Sequence, residues 1–302
     1  MTTTQAPASA PVVPIATGRR SGSGAGERLW KASPLTYAAL IFAIILSVFP
    51  LYWMLVVASR TNDAIGDVPP VMIPGGNLGE NITRVLNNQD ANFLKGIINS
   101  LIVSSVITVS TVFFGSLAGF AFAKLRFRGK NMLLIAILAT MMVPVQLGMI
   151  PLYILMVKLG WNNELQSVIV PFLISGFGVF MMRQYASQAV ADELIEAARV
   201  DGCSTWRIYW NVVLPALRPA AAVLGLLTFM QSWNEFFWPF VVMQDQENPT
   251  VQISLRTLNT AYYADYSQIF AGTALATIPL LFVFIVFGRQ IIGGIMEGAV
   301  KA

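Results

Sequence analysis

The sequence predicts an all-α membrane protein, a polytopic bundle of six transmembrane helices. Of its 302 residues, 56% are hydrophobic and only 11% are charged, and the mean hydropathy is +0.65. A soluble domain carries roughly a quarter charged residues. Six separate segments are apolar over the length of about 20 residues that a helix needs to cross a bilayer.

The predicted spans follow one another along most of the chain. They are Leu35–Ala58, Ile97–Ala123, Asn131–Val157, Leu165–Met182, Ala220–Met243 and Ala271–Ile292. The fourth is the shortest. Several prolines fall inside these spans, namely Pro50, Pro144, Pro151, Pro171 and Pro279. We interpret them as kinks rather than breaks, because neighbouring helices or an aqueous cavity can satisfy the carbonyl groups that a proline frees.

The basic residues that flank the spans predict the orientation of the chain. One side carries Arg19, Arg20, Arg28, Lys31, Lys124, Arg126, Arg128, Lys130, Arg183, Arg199, Arg207, Arg218, Arg289 and Lys301. The other side carries Arg60, Arg84, Lys95, Lys158 and Arg256. Both termini are therefore predicted to be cytoplasmic, and the sequence pI of about 9.3 reflects topology rather than nucleic-acid binding.

The first 28 residues differ in composition from the rest. Residues 1–28 are rich in Ala, Pro, Thr, Gly and Ser and have almost no large apolar side chains. Such a segment buries too little surface to offset its chain entropy. We expect a disordered cytoplasmic tail, followed by a single transmembrane domain over residues 29–302.

The residue types that are missing restrict the chemistry. There is no histidine, which excludes His-based nucleophilic triads and zinc sites of the His-x-x-x-His type. There is also no Gly-x-x-x-x-Gly-Lys-Ser/Thr phosphate loop. We therefore predict no catalytic residue, no metal site and no bound cofactor, and an ATPase partner if ATP drives the protein. Glu235 is the one acid well inside a span, which disfavours an intramembrane enzyme or an ion-coupled carrier.

The polar loop of residues 183–218 lies between two spans and predicts two short helices. In the first helix, Val190, Leu194, Ala197 and Ala198 recur at helical spacing, opposite Asp192, Glu193 and Glu196. Gly202 is expected to end it, because a left-handed residue just past a helix is least strained as glycine.

The second helix of this loop is predicted to be rich in aromatic residues. Ser204 is placed to cap it, and Pro215 is expected to stop it. One interpretation is an interfacial helix that Trp206, Tyr209 and Trp210 anchor at the headgroups. The other is a docking element for a cytoplasmic partner.

The fifth span combines polar and aromatic residues in its outer half. Trp233, Asn234, Glu235 and Trp238 suit a sugar, whose hydroxyl groups need hydrogen-bond partners and whose C–H faces pack on aromatic rings. These residues are candidates for the translocation pathway. The alternative is that the polar pair bonds to neighbouring helices while the tryptophans form an interface belt.

Several motifs resemble those of one transporter family. They are Glu196-Ala197-Ala198, Asp201-Gly202, Leu214-Pro215, Pro219, Trp233-Asn234-Glu235, Trp238-Pro239 and Gly298-Ala299-Val300-Lys301. Over about residues 30–302 the chain resembles the permease subunits of binding-protein-dependent ABC importers, in the carbohydrate branch and the maltose-permease G-subunit class. Ala302 follows Lys301, where related chains often end near a glycine.

The resemblance implies both a function and a set of partners. The function is import of a sugar or oligosaccharide across a bacterial cytoplasmic membrane by alternating access. The partners are an ABC ATPase dimer that binds the ATP, a second homologous permease and an external solute-binding protein. The resemblance also implies that Glu196, Ala197, Ala198, Asp201, Gly202, Leu214 and Pro215 couple the chain to the ATPase, with Glu196 pairing with a basic residue of that partner.

Some alternatives stay open at the level of sequence. The solute is a sugar, or else a polyol or glycerol phosphate, and an ATP-independent channel or carrier is a further alternative. The outward loop 244–270, with Asp245, Glu247, Asn248, Tyr262, Tyr263, Asp265 and Tyr266, contacts the binding protein or is simply solvated.

Overall fold

The computed structural model describes residues 33–245, 247–259 and 264–300, with side chains up to residue 288. The predicted tail of residues 1–28, Tyr262, Tyr263 and Lys301 lie outside the described residues. The chain divides into two compact units, Met1–Leu51 and Tyr52–Ala302. The sites discussed below belong to the second unit.

The described chain is built from α-helices. They are α1 Pro34–Ala58, α2 Asn62–Ile65, α3 Leu78–Leu86, α4 Phe93–Lys124, α5 Lys130–Met142, α6 Met149–Lys158, α7 Leu165–Ile169, α8 Gly176–Ala189, α9 Asp192–Val200, α10 Thr205–Ile208, α11 Leu214–Trp233, α12 Phe237–Val242, α13 Val251–Thr257 and α14 Tyr266–Val300. Within the described ranges, β-structure is limited to one isolated bridge between Asn259 and Ala264.

The predicted all-α membrane fold is confirmed. By length and composition, four helical segments can cross a membrane, namely Pro34–Ala58, Phe93–Lys124, Leu165–Ala189 and Tyr266–Gly288. Two bent pairs raise the number to six if each pair is a single span, Lys130–Met142 with Val145–Lys158 and Thr205–Ala216 with Arg218–Trp233. The fourth predicted span, Leu165–Met182, is thus longer than its apolar run suggests.

The prolines act differently from one another. Pro50, Pro151 and Pro279 lie inside continuous helices, as predicted. The prediction is wrong for Pro144, where α5 ends, a 3₁₀ turn follows and the chain bends by 89°. Pro144 lacks an N–H and holds Val143 in the extended region, so the helix ends before it. Pro171 likewise lies in a 3₁₀ turn, Val170–Phe172, that interrupts the fourth span.

Pro215 does not stop the second helix of the 183–218 loop, contrary to expectation. The helix α10 continues through a π-helical turn, Tyr209–Val213, directly into α11. Pro215 directly follows the π-helical turn, where the regular α-helical hydrogen bonding is already interrupted, so the proline bends the helix rather than ending it. The result is a bend of 76° between Thr205–Ala216 and Arg218–Trp233 instead of a stop.

Helix α4 is the centre of the bundle and packs against α8, α11 and α13. Its contact with α8 depends on small residues, because a Cβ atom on Gly119 would lie 2.7 Å from the backbone N of Arg183 and from the carbonyl C of Met182. Membrane helices associate through such close packing, since lipid offers no hydrophobic driving force between them. The backbones of α4 and α8 therefore approach closely.

The end of the bundle opposite Lys124 is closed by polar contacts. The predicted loop 244–270 contains α13, in which Val251 and Ser254 are fully buried, so this segment is packed rather than simply solvated. The Nδ2 amide of Asn99 donates to the carbonyl of Pro249 at 2.9 Å. Arg84 forms an ion pair with Asp265, which precedes α14. These contacts fix the segment between α12 and α14 against α3 and α4.

Candidate functional site

Residues 190–213, called the knob below, contain α9, α10 and the turn between them. Asp192 and Glu193 lie in the first turn of α9 and Arg199 in its last turn, which suits the helix dipole. Gly202 follows with a φ of +76°. Its N–H donates to the carbonyl of Arg199, and the N–H of Cys203 donates to that of Ala198. This pair of bonds is a Schellman motif, which confirms the prediction that Gly202 ends the first helix of the loop.

The second half of the knob is held by one aromatic residue. The predicted cap is confirmed, because the Ser204 hydroxyl accepts from the N–H of Arg207 at 3.3 Å. Tyr209 is buried, and its hydroxyl lies 2.8 Å from the Ser116 hydroxyl of α4. Trp206 stacks on Tyr209 with a centroid distance of 5.7 Å. The knob is therefore anchored to the bundle rather than only to lipid headgroups.

The buried face of α9 differs from the predicted one. Val190 and Ile195 are buried and Ala198 is half-buried, while Leu194 and Ala197 are exposed. The buried residues Ile195 and Ala198 each follow a predicted one, Leu194 or Ala197, by one position. One position corresponds to a rotation of about 100° around the helix axis, so the buried face is rotated by that angle from the predicted face. The prediction missed Ile195, which packs in the core with Tyr209.

The exposed face of α9 and the turn that follows it carry four of the seven predicted coupling residues. Glu196, Ala197, Asp201 and Gly202 are exposed, next to Leu194 at 55% and Val200 at 89% exposure. Leu214 and Pro215 lie apart from this face at the start of α11, where Leu214 packs on the core and Pro215 is exposed. The face presents acids and apolar side chains side by side.

An ion pair ties the knob to α4. Lys124 at the end of α4 donates to the carboxylate of Asp192 at 2.7 Å. The hydrogen bond from Lys124, together with its charge, holds the pKa of Asp192 below its usual value. The pair fixes the first residue of α9 to the last residue of α4.

A cavity of about 560 Å³ lies where three spans are interrupted. The break between α5 and α6 contributes Val145 and Gln146, and the break before α8 contributes Ile174 and Ser175. The break between α11 and α12 contributes Glu235. Membrane proteins tolerate irregular backbone at such depth only where it is buried in protein or lines a cavity.

The predicted pathway residues divide into two pairs. Glu235 and Trp238 line the cavity. Trp233 does not; it is 1% exposed, stacks on Phe229 and donates through Nε1 to the carbonyl of Ala276 at 3.2 Å. Asn234 also lies outside the lining, and its amide donates at 2.8 Å to the carbonyl of Met230 in its own helix.

Glu235 and Trp238 are held in place by hydrogen bonds. The Glu235 carboxylate accepts from the backbone N–H of Trp238 at 3.1 Å. The indole N–H of Trp238 donates to the carbonyl of Ser167 at 2.9 Å. The first bond fixes the carboxylate at the start of α12, and the second fixes the ring against α7.

Sequence reasoning missed the polar residues of α11 that line the cavity. These are Thr228, Gln231 and Ser232, which precede Glu235 at helical spacing. Their spacing of three, four and seven residues puts them on one face of a helix. That periodicity is readable in the sequence and is the signal that predicts the lining.

Comparisons with known proteins agree with this architecture. Residues 111–293 match the family described as "Binding-protein-dependent transport system inner membrane component". The arabinooligosaccharide transport permease AraQ of Halalkalibacterium halodurans is 37% identical over 67% of this chain and 72% of its own length. The lactose transport permease LacG of Rhizobium radiobacter is 34% identical over 88% of this chain and 95% of its own length.

A solved structure has the same fold. It is a chain of a bacterial ABC transporter involved in the import of the acidic polysaccharide alginate, with a TM-score of 0.74 and 22% identity. The match covers 88% of this chain and 98% of that one. The family match includes the knob and all but one of the residues that line the cavity. The chain is therefore a multi-pass membrane protein and belongs to the binding-protein-dependent transport system inner membrane component family.

Proposed function

We propose that the chain is the permease subunit of an ATP-driven ABC importer that moves a sugar or oligosaccharide across the cytoplasmic membrane. The relatives named for arabinooligosaccharides and lactose support this class of solute. The subunit works by alternating access and performs no covalent reaction. A polyol or glycerol phosphate is the alternative solute.

The observation that carries the proposal is the exposed face of α9. Val200, which is 89% exposed, lies one helical turn after Glu196 and therefore beside its carboxylate, and Leu194, at 55% exposure, lies at the other edge of the exposed face. A contact face that combines apolar area with a charged group suits a protein groove, because a basic partner residue gives Glu196 a directed, charge-assisted hydrogen bond. Ala197 leaves room for close approach.

The knob docks in a cytoplasmic ABC ATPase dimer, which binds and hydrolyses the ATP. The sequence has no Gly-x-x-x-x-Gly-Lys-Ser/Thr phosphate loop of its own, which supports a partner ATPase. A second permease completes the pathway, and an external binding protein delivers the solute. The knob lies on the cytoplasmic side of the membrane. Four spans precede it and two follow it, and an even number on each side places both termini in the cytoplasm as well.

Reversal of one charge tests the docking. In the assembled importer, Glu196→Lys is expected to lower ATP-dependent uptake and solute-stimulated ATPase activity at least about tenfold, because a charge-assisted contact becomes a repulsion. The amount of protein in the membrane should stay the same. Glu80→Lys is the matched control, since Glu80 is also exposed but lies in α3 at the other end of the bundle. Normal uptake by Glu196→Lys would refute the docking.

The partners are tested separately by affinity purification. The tagged chain is isolated from its native membranes in mild detergent after brief crosslinking, and the retained proteins are identified by mass spectrometry. An ABC ATPase, a second permease and a solute-binding protein are expected. Repeated recovery of the chain alone would favour a channel or an independent carrier.

A further inference from the structure

We infer that the cavity formed by the interrupted spans is a binding site for an uncharged saccharide within this subunit. This inference rests on the proposed function, because it names the class of solute and the residues that would hold it. Secondary transporters typically bind their substrates where membrane helices are discontinuous. In this chain three such discontinuities meet at one cavity, through Gln146, Ser175 and Glu235.

A row of hydrogen-bonding groups from α11 and the break that follows it lines the cavity. Thr228, Gln231 and Ser232 lie on one face of α11, and Glu235 follows them in the break before α12. The row offers hydroxyl and amide donors together with amide and carboxylate acceptors. A sugar hydroxyl both donates and accepts, so it matches such a mixed row.

Thr111 in α4 supplies a second, independent observation. Its side chain lines the cavity and is 1% exposed, yet its Oγ1 has no hydrogen-bond partner in the described part of the chain. Membrane-helix threonines usually bond to a carbonyl one turn earlier; Thr273 does so with Ile269 at 2.8 Å. A buried hydroxyl without a partner is costly. The Oγ1 atom is screened from the open cavity, so the side chain would have to rotate about χ1 to bond to a hydroxyl of a bound sugar.

Aromatic side chains also line the cavity. Phe172, Phe177, Phe237 and Trp238 line it, and Phe172 meets Trp238 edge to face at a centroid distance of 6.4 Å. Aromatic rings pack against the C–H face of a sugar ring and exclude water from the polar contacts on the other side. The volume of about 560 Å³ falls within the range of small-molecule sites.

The charge of the lining selects against anions. Glu235 is the one ionisable residue in the described lining, which contains no Lys or Arg. A phosphate or carboxylate would lose water there without gaining a counter-ion and would face the Glu235 carboxylate. The cavity therefore favours a neutral saccharide over glycerol phosphate or an acidic sugar.

Measuring solute binding to the importer in the absence of its binding protein tests the site without the selectivity of that protein. The importer complex is reconstituted in lipid nanodiscs, and binding of labelled lactose, arabinotriose, lactobionate and sn-glycerol 3-phosphate is measured by equilibrium dialysis. At least one neutral sugar is expected to bind more tightly than either anion. Tighter binding of an anion, or no binding of any probe, would overturn the inference.

Variants assign the binding to this cavity. Gln231→Met removes the amide at similar volume and should weaken sugar binding by about tenfold, the loss expected for hydrogen bonds left unpaired. Thr111→Val should weaken it by about threefold or more. Gln166→Met is the matched control, because Gln166 is exposed in α7 outside the cavity. Glu235→Gln should raise the affinity for lactobionate relative to lactose.

The outcomes separate this inference from the proposed function. If the wild-type complex shows ATP-dependent sugar uptake but Gln231→Met binds and transports normally, the cavity site is wrong and the importer function stands. If the wild-type complex, with its binding protein, shows no ATP-dependent uptake of any of these solutes, the proposed function is wrong.

Discussion

Gly202 sets the shape of the knob through its backbone alone. Its φ is +76°, and a Cβ atom added there would meet no atom within 4 Å. The cost of a side chain is therefore backbone strain, roughly 1–2 kcal/mol for an ordinary L residue and more for a β-branched one. We expect Gly202→Val to lower ATP-dependent uptake several-fold, because the strained turn displaces α9 from α10.

The control for this substitution is Gly202→Asn. Asparagine tolerates the left-handed region, so most of the uptake should remain. Uptake is normalised to the amount of protein in the membrane. Equal losses in both variants would mean that the missing side chain matters rather than the backbone conformation.

Asp265 predicts how stability depends on pH. Burial alone raises its pKa, but hydrogen bonds from Ser267, the backbone N–H of Gln268 and Arg84 lower it more, so the net pKa lies below its usual value. The ionised form is therefore stabilised by folding. This contribution is fully present above the unfolded pKa of about 3.9 and is lost as the pH falls through the lower folded pKa.

We expect Asp265→Asn to lower the thermal unfolding temperature at neutral pH. The decrease of the unfolding temperature between neutral and acidic pH should be smaller in this variant than in the wild type. Unfolding of the solubilised protein is followed by intrinsic fluorescence over a pH series. Asp63→Asn, which changes an exposed carboxylate in α2, should leave the curve unchanged. Identical acid sensitivity in wild type and Asp265→Asn would contradict the assignment.

Single residues were predictable where the cause is local. Gly202 and Ser204 act on atoms a few positions away, so their roles follow from the sequence and are confirmed by the structure. Ile195 was missed because α9 has apolar residues on more than half of its circumference. Which strip is buried depends on contacts with Tyr209 and its neighbours, which lie beyond α9.

The crossing of α4 and α8 is set by Gly119. A Cβ atom there would lie 2.7 Å from backbone atoms of Met182 and Arg183, which cannot move independently of α8. We expect Gly119→Ala to cost about 1–3 kcal/mol, as overpacking of a close contact does. The measurement is the thermal unfolding temperature in detergent.

The matched control is Gly225→Ala in α11. There the added Cβ atom would lie 3.6 Å from methyl groups of Thr108 and Val112, an ordinary contact. No loss of stability is expected, since alanine also favours the helix. If both variants unfold at the wild-type temperature, the close approach of α4 and α8 is not required.

Helices were predictable as elements, but their interruptions were not. Hydrophobic length identifies α1, α4 and α14 because each is a continuous apolar run. Pro50 and Pro144 lie in similar apolar surroundings in sequence, yet α1 continues through Pro50 and α5 ends before Pro144. The difference depends on whether packed neighbours or a cavity receive the freed backbone groups, and single-sequence patterns do not contain that information.

At the scale of the whole molecule, the orientation in the membrane can be tested with two cysteines. In a Cys203→Ser background, Val200→Cys marks the knob and Val68→Cys marks the opposite end; both positions are highly exposed, at 89% and 94%. In cells without the ATPase subunit, an impermeant thiol reagent should label Val68→Cys in intact spheroplasts. It should label Val200→Cys only after permeabilisation.

The reverse labelling pattern would invert the topology and place the knob outside the cell. That result would also refute docking to a cytoplasmic ATPase. A third outcome is that neither cysteine is labelled in intact spheroplasts and Val68→Cys is labelled only after permeabilisation. This would contradict the prediction that Val68 faces outward.

The two candidate sites differ in how far the sequence could predict them. The knob is formed by consecutive residues, so its motif and caps are readable together. The cavity unites Thr111, Gln146, Ser175 and Glu235 from four separate spans. Pattern analysis found Glu235 and Trp238 because their motif is unusual, and it missed residues whose proximity arises only from the breaks in the helices.

The 76° bend between Thr205–Ala216 and Arg218–Trp233 gives this segment the form of a crank. At 1.5 Å per residue its two arms are about 18 Å and about 24 Å long. One arm ends at the turn after α9, and the other ends just before Glu235. If the segment pivots about its bend as one body, arms of similar length give similar displacements. We therefore expect a shift of α10 by a few ångströms to move the end of α11, next to Glu235, by a comparable distance.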